Sequence, residues 1–228
     1  MRLTLIIVLY TIANFLFSQD DSLFLRIEKN YQGIQSFTAE AQITVEMERL
    51  RIPRKKFTLY YKHPDKFKIE SDGFAMIPRI GLLIFPNQLN SEKYELEFTS
   101  PDTIGEYITE KYLLKIKSVD KSRLPSAQQF FVWIDRKHSL LRKIESLNFR
   151  GRTSRVNIEY GKLKEGYYMP SRIGVTFENI ADSRVDTLEF PLRERFPSRI
   201  PRSGSVTIVF TKYSINETLE DKLFEKER

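Results

Sequence analysis

Apolar and polar residues alternate along much of the chain, most clearly between Ser36 and Glu70. A period of two is typical of strands that lay one face on a core and the other in water. The apolar positions of this stretch are Phe37, Ala39, Ala41, Ile43, Val45, Met47, Phe57, Leu59, Tyr61, Phe67 and Ile69. Pro64 and Asp65 favour a turn between the last two runs. The pattern therefore predicts an antiparallel meander with one continuous apolar face.

A helical spacing precedes the meander. Four apolar residues, separated by four, four and three positions, predict one apolar face of a helix from Asp21 to Gly33. These residues are Leu23, Ile27, Tyr31 and Ile34. Asp20 or Asp21 can cap the start of the helix, and Gly33 can end it. We expect such a helix to pack across the apolar face of the sheet.

Further alternating runs continue towards the C-terminus. They predict strands over residues 92–98, 112–119, 129–135, 140–149, 153–160, 167–177 and 204–213. Short helices are predicted over 101–110 and at the charged C-terminus, and a long excursion over 179–204. The fold class is mainly β, with roughly ten strands joined in order by short turns. This arrangement favours an antiparallel sheet that closes towards a barrel.

The segment 72–90 is apolar but irregular. Gly73, Pro78, Gly81 and Pro86 interrupt it, so it cannot form one regular element. Its apolar side chains, which include Phe74 and Met76, either pack on the body of the domain or form part of a mobile cover. The sequence leaves both alternatives open.

The small residues Ala39 and Ala41 lie at the centre of the first strand. They either leave room for a guest or lie directly beneath the helix. An apolar cavity suits alkyl chains, because each buried CH₂ contributes about 0.8 kcal/mol. The predicted lining residues are Leu23, Ile27, Phe37, Ala39, Ala41, Ile43, Phe57, Leu59, Tyr61, Phe67, Ile69, Phe74 and Met76.

The N-terminus predicts export. A positive Met1-Arg2 precedes the apolar run Leu3 to Phe17, and Ser18 is a small residue at a plausible cleavage position. The run is too short to favour a spanning helix, although an uncleaved signal anchor is the alternative. We expect a signal peptide over 1–18 and a single domain over 19–228. Because the chain has no cysteine, a lipid-modified N-terminal cysteine is excluded.

The formal net charge of +7 includes two basic clusters beside prolines. The first lies around Pro53, and the second contains Arg193, Arg195, Arg199 and Arg202. Each cluster either binds a partner protein or anionic head groups, or is a solvated loop. The second is our candidate for partner docking. Export argues against a nucleic-acid partner.

Catalytic motifs are scarce. His63 and His138 lie in predicted turns far apart in sequence, and the chain has no phosphate-binding, nucleophile-elbow or zinc-protease motif. Metal ligands at a suitable spacing are absent as well. We therefore expect a binding protein that is not an enzyme and needs no metal or cofactor.

The order of elements resembles a known family, the LolA-like periplasmic carriers of outer-membrane lipoproteins. The resemblance rests on a signal peptide and first helix leading to Ser36-Phe37-Thr38-Ala39, and on the run Tyr61 to Glu70 with the following Asp72-Gly73. It also includes the hairpin of Val132 to Asp135 with Leu141 to Ile144. The last match is Val206 to Asn216 followed by Phe224. These motifs are short but cover most of the chain after the signal peptide.

The resemblance implies an incomplete antiparallel barrel with a helical lid over an apolar cavity for acyl chains. It also implies a periplasmic protein that carries an acylated lipoprotein or lipid towards the outer membrane. Membrane-bound donor and acceptor proteins, and transient contact with a membrane surface, would follow from that role. The alternative on the same fold is a module that senses envelope lipids and regulates a partner protein.

Overall fold

The structure is a computed structural model that describes residues 23–47, 50–71, 85, 88–117, 130–146, 152–179 and 203–225. Ten strands form one sheet. They are β1 (Ser36–Met47), β2 (Leu50–Lys62), β3 (Lys66–Ser71), β4 (Tyr94–Ile104), β5 (Tyr107–Ile116), β6 (Phe130–Asp135), β7 (Leu141–Ser146), β8 (Arg152–Lys162), β9 (Tyr168–Asn179) and β10 (Ser203–Ile215). Among the described residues there is one α-helix, α1 (23–29), and a short 3₁₀-helix over Asp221–Phe224.

Every neighbouring pair of strands is antiparallel. The spatial order is β3-β2-β1-β10-β9-β8-β7-β6-β5-β4. The first and last strands therefore pair in the interior of the sheet, and the sheet is open between β3 and β4. This confirms the prediction of a mainly β fold built on an incomplete antiparallel barrel.

The core lies on one face of this sheet, which we call the inner face. Along β1 the buried side chains are the alternating apolar ones, and the polar residues between them are more exposed. A single buried cluster joins this face to α1 through Leu23, Phe24 and Ile27. The helix predicted from the spacing of apolar residues is therefore confirmed over residues 23–29, and it covers part of the inner face. Residues 30–33, which were predicted to continue it, form a turn.

A left-handed glycine ends the turn after α1. Gly33 has φ of 91°, a conformation that favours glycine. A Cβ at this position would lie 2.8 Å from the hydroxyl of Tyr167. The side chain of Asn216 fixes the same turn, because its Nδ2 donates to the carbonyl of Gly33 at 2.9 Å. Its Oδ1 accepts from the amide of Gln35 at 2.7 Å.

The helix predicted over 101–110 is wrong. Residues up to Ile104 continue β4, Gly105 and Glu106 form the turn, and Tyr107 begins β5. Gly105 has φ of 57°, which suits a tight hairpin turn. Pro101 is tolerated because β4 is an edge strand, where a missing backbone donor leaves no partner unsatisfied. The strand predicted to begin at 112 therefore begins five residues earlier.

Among the described residues, no helix is long and apolar enough to cross a membrane. The same residues hold no cluster of histidine, aspartate or glutamate side chains that could bind a metal ion.

Candidate functional site

The centre of the inner face is the strand β1. Phe37, Ala39, Ala41 and Ile43 are all buried. The strand register places large side chains on both sides of the two alanines. Ala39 faces Leu59 of β2 and Tyr213 of β10, and Ala41 faces Phe57 and Phe210. The alanines thus form a low strip between two rows of bulky residues.

Phe85 lies over this strip. Its ring centroid is 5.7 Å from that of Phe37, 6.1 Å from Phe67 and 6.0 Å from Phe210. These three rings belong to β1, β3 and β10 respectively. Phe85 comes from the connection between β3 and β4, and its side chain is buried. It therefore packs among aromatic rings from three strands of the inner face.

Three tyrosines line the inner face on the side of α1. Tyr31 follows the helix and hydrogen-bonds with Tyr160 of β8. The hydroxyl of Tyr213 donates to the carbonyl of Pro170 at 2.7 Å, and that of Tyr160 donates to the carbonyl of Leu141 at 3.0 Å. Burial raises the pKa of all three phenols. Their hydroxyls are thus held neutral and paired in an apolar setting.

Most of the predicted lining residues lie together in this core. Those that are buried in the common cluster are Leu23, Ile27, Phe37, Ala39, Ala41, Ile43, Phe57, Leu59 and Tyr61. Phe67 is partly buried against the same cluster. Burial raises the pKa of Tyr61 to about 12. Ile69 shares the face of Leu59, its register partner, but is 37% exposed because β3 is an edge strand.

The other candidates fall outside the described residues. These are Phe74 and Met76 in the irregular segment and Arg193, Arg195, Arg199 and Arg202 in the docking cluster. Of the irregular segment, Phe85 and Leu89 are described, and both are buried in the core. For these two side chains, packing on the body of the domain is the correct alternative.

The sequence pattern does not single out three further residues of the inner face. They are Phe210 and Tyr213 of β10, whose partly buried rings stack with centroids 5.6 Å apart, and the buried Phe85. The alternation in β10 was visible in the sequence, but pairing of the last strand with the first depends on topology. Phe85 carried no signal of its own, since its neighbours include two prolines and many apolar residues.

A buried ion pair lies at the turn between β6 and β7. Nη2 of Arg142 donates to Oδ2 of Asp135 at 2.9 Å, and both side chains are nearly inaccessible to solvent. Nδ1 of His138 lies 3.3 Å from the same oxygen. Burial alone would raise the pKa of Asp135, but the hydrogen bonds from Arg142 and from the turn hold it below its ordinary value. The guanidinium also lies 3.7 Å from the ring of Tyr107, a cation–π contact.

Solved structures show the same architecture. A LolA superfamily protein from Nitrosomonas europaea matches with a TM-score of 0.55 and 13% identity, covering 90% of this chain and 96% of that one. A protein domain from Vibrio parahaemolyticus, named as a putative outer membrane lipoprotein-sorting protein domain, matches with a TM-score of 0.55 and 13% identity over 91% and 96% of the two chains. The fold is LolA-like.

A DUF1329 family protein from Desulfovibrio piger shares the LolA-like fold as well, with a TM-score of 0.61, 13% identity and coverage of 90% and 95%. No protein family model matches the sequence, and no curated protein matches it. At this identity the likeness establishes the fold. It confirms the resemblance found in the sequence at that level.

Proposed function

We propose that this protein binds the acyl chains of lipoproteins or lipids against its inner face and carries them through the periplasm towards the outer membrane. The observation that carries the proposal is Phe85, a side chain seated among the rings of Phe37, Phe67 and Phe210 over the alanine strip. An acyl chain would take the place of this ring. The LolA-like fold and its lipoprotein-sorting neighbour support this reading.

The energetics favour a long alkyl chain as the guest. Removing Phe85 from its contacts costs about 3–5 kcal/mol on the scale of a core Phe→Ala change, which about four to six buried methylene groups offset. An acyl chain of a membrane lipid exceeds this length. A short apolar molecule would not displace the ring.

The edge strand β3 is the entry that the contacts support. Ile69 is exposed at this edge, beside the buried Leu59 on the same face. On the side of α1, a hydrogen bond holds the helix in place. Nδ2 of Asn30 donates to the carbonyl of His138 at 2.8 Å and joins the end of α1 to the β6–β7 turn. A chain that enters past β3 reaches Phe67 and Phe85 without moving the helix.

The experiment begins with the protein without its first 18 residues, extracted for mass spectrometry and titrated with a fluorescent fatty acid. We expect co-purified acyl species and saturable uptake. Ile69→Lys should weaken uptake, whereas Val209→Lys should not. Val209 is also an exposed apolar residue (38%), but it pairs with Gln42 on the outer face. Absence of acyl species together with no uptake would refute the proposal, and equal effects of the two lysines would refute the entry at β3.

A further inference from the structure

An open groove of about 590 Å³ lies outside the inner face. Its walls come from α1, the turn between β6 and β7, and the turn between β8 and β9. The lining residues are Arg26, Lys29, Asn30, Lys137, His138, Ser139, Glu165, Gly166, Tyr167 and Tyr168. We call it the cationic groove. Neither the fold likeness nor acyl binding accounts for it.

Three exposed cations converge on this groove. Arg26 and Lys29 are three residues apart on α1 and therefore share a helix face, while Lys137 projects from the β6–β7 turn. Within the described part of the chain, none of the three forms an ion pair with a carboxylate. Glu165 is the one acidic residue among those that line the groove. The net positive charge favours an anion.

The walls of the cationic groove are fixed before any ligand binds. Nδ2 of Asn30 donates to the carbonyls of His138 and Ser139 at 2.8 and 3.2 Å, which joins α1 to the turn. The hydroxyl of Tyr167 donates to the carbonyl of Gln32 at 3.3 Å. The ring of His138 packs on Tyr168 with centroids 4.9 Å apart. Little ordering is therefore required on binding, which favours affinity.

An exposed leucine on α1, next to Arg26 in sequence, points to a membrane. Leu25 is 64% exposed and directly precedes Arg26 on α1. A basic helix face with an apolar residue at its border is the pattern of a surface that rests on anionic lipid. We propose that the cationic groove binds the phosphate of an anionic phospholipid head group at the membrane surface. A soluble phosphate ester would offer no apolar surface for Leu25 to contact.

The test measures binding to vesicles of phosphatidylcholine with and without phosphatidylglycerol. We expect binding that depends on phosphatidylglycerol and weakens as salt is raised. The double variant Lys29→Glu/Lys137→Glu should weaken it by at least about tenfold. The matched control, Lys212→Glu/Arg172→Glu, makes the same change in net charge on the outer face of β10 and β9. It should retain nearly all of the binding.

Three results would overturn the proposal. One is binding that does not depend on phosphatidylglycerol. Another is an equal loss in both double variants, which would mean that net charge alone matters. The third is binding of glycerophosphate by the protein that is at least as tight as its binding to the vesicles, which would assign the groove to a soluble ester. Leu25→Ser should also reduce binding to the vesicles. Fatty-acid uptake is measured separately and should be unchanged in the groove variants, so this proposal and acyl binding can fail independently.

Discussion

The ring of Phe85 lies 5.7 Å from the ring of Phe37, and the two side chains are both almost fully buried. Phe37 is anchored in β1, in the interior of the sheet, whereas Phe85 comes from the connection between the two edge strands, β3 and β4. A residue of that connection therefore completes the core of the sheet. The ring of Phe85 stabilises the fold in the same space that an acyl chain would occupy in the proposed binding.

Shortening Phe85 should have opposite effects on stability and on binding. Phe85→Ala removes contacts with three rings, so we expect a loss of about 3–5 kcal/mol in the free energy of unfolding. The space it vacates should make a fluorescent fatty acid bind at least about tenfold more tightly, since the guest no longer displaces a ring. Urea denaturation and a fatty-acid titration measure the two effects.

A matched control separates a specific vacancy from a general loss of packing. Ile144→Ala opens the core in β7, three strands away from β10, and should also reduce stability by about 2–5 kcal/mol. It should not tighten fatty-acid binding. If both variants bind more tightly, a loosened core rather than the position of Phe85 is responsible.

The architecture could be predicted from the sequence because alternation along each strand is a local property. The β1 residues Phe37, Ala39 and Ala41 were assigned to the buried face correctly for this reason. The 101–110 region was misassigned because Pro101 and Asp102 are also a common helix start. In the fold, Asp102 instead accepts from Nε1 of Trp133 at 2.7 Å, a contact between residues 31 positions apart.

The packing of Phe85 on the inner face could not be predicted from the sequence, because it depends on contacts between residues that are distant in sequence. The role of Phe85 follows from the strand order, which brings β3, β1 and β10 together. The cationic groove has the same origin. Arg26 and Lys137 lie more than a hundred positions apart, and the fold brings their elements together, with the hydrogen bonds of Asn30 joining α1 to the β6–β7 turn.

Asn216 should be important for stability although its side chain is exposed. It has φ of 59° and holds both Gly33 and Gln35 through its amide. Asn216→Ala loses these hydrogen bonds and places a Cβ in an unfavourable conformation, so we expect a loss of about 2–3 kcal/mol. Asn216→Gly keeps the backbone free of strain and should lose about half as much. Equal stability of the glycine variant and the wild type, measured by urea denaturation, would contradict a role for the hydrogen bonds.

The buried pair Asp135–Arg142 should make stability fall at acid pH. The pKa of Asp135 is lower in the folded protein than its ordinary value of 3.8. Its contribution is therefore present above about pH 4 and is lost as the pH falls through the folded pKa. Asp135→Ala leaves Arg142 buried and unpaired, and should reduce the free energy of unfolding by about 3–5 kcal/mol at neutral pH. In this variant the free energy of unfolding should also depend less on pH at acid pH.

A comparison of two pairs checks that burial is the cause. Glu40→Ala removes the partner of Lys212, a pair at 3.6 Å with both side chains more than half exposed. This change should cost less than about 1 kcal/mol. Replacing Asp135 and Arg142 together by Leu and Met should recover part of the loss seen in Asp135→Ala, since no charge is then buried alone. A double variant as unstable as the sum of its single variants would contradict this account.

The partly buried tyrosines of the inner face should produce the opposite dependence at alkaline pH. The pKa of Tyr213 is raised well above its ordinary value of 10.0 by burial, and that of Tyr31 is raised in the same way. The unfolded chain therefore releases protons near pH 10 that the folded chain retains, so stability is complete below that pH and falls as the pH rises.

Tyr213→Phe should lose about 1 kcal/mol at neutral pH, because the carbonyl of Pro170 loses its donor. Its stability should then fall less steeply than that of the wild type above pH 10. Urea denaturation at a series of pH values, with tyrosinate absorbance followed in parallel, measures both effects, and an unchanged alkaline slope would show that Tyr213 ionises as readily in the fold as in the unfolded chain.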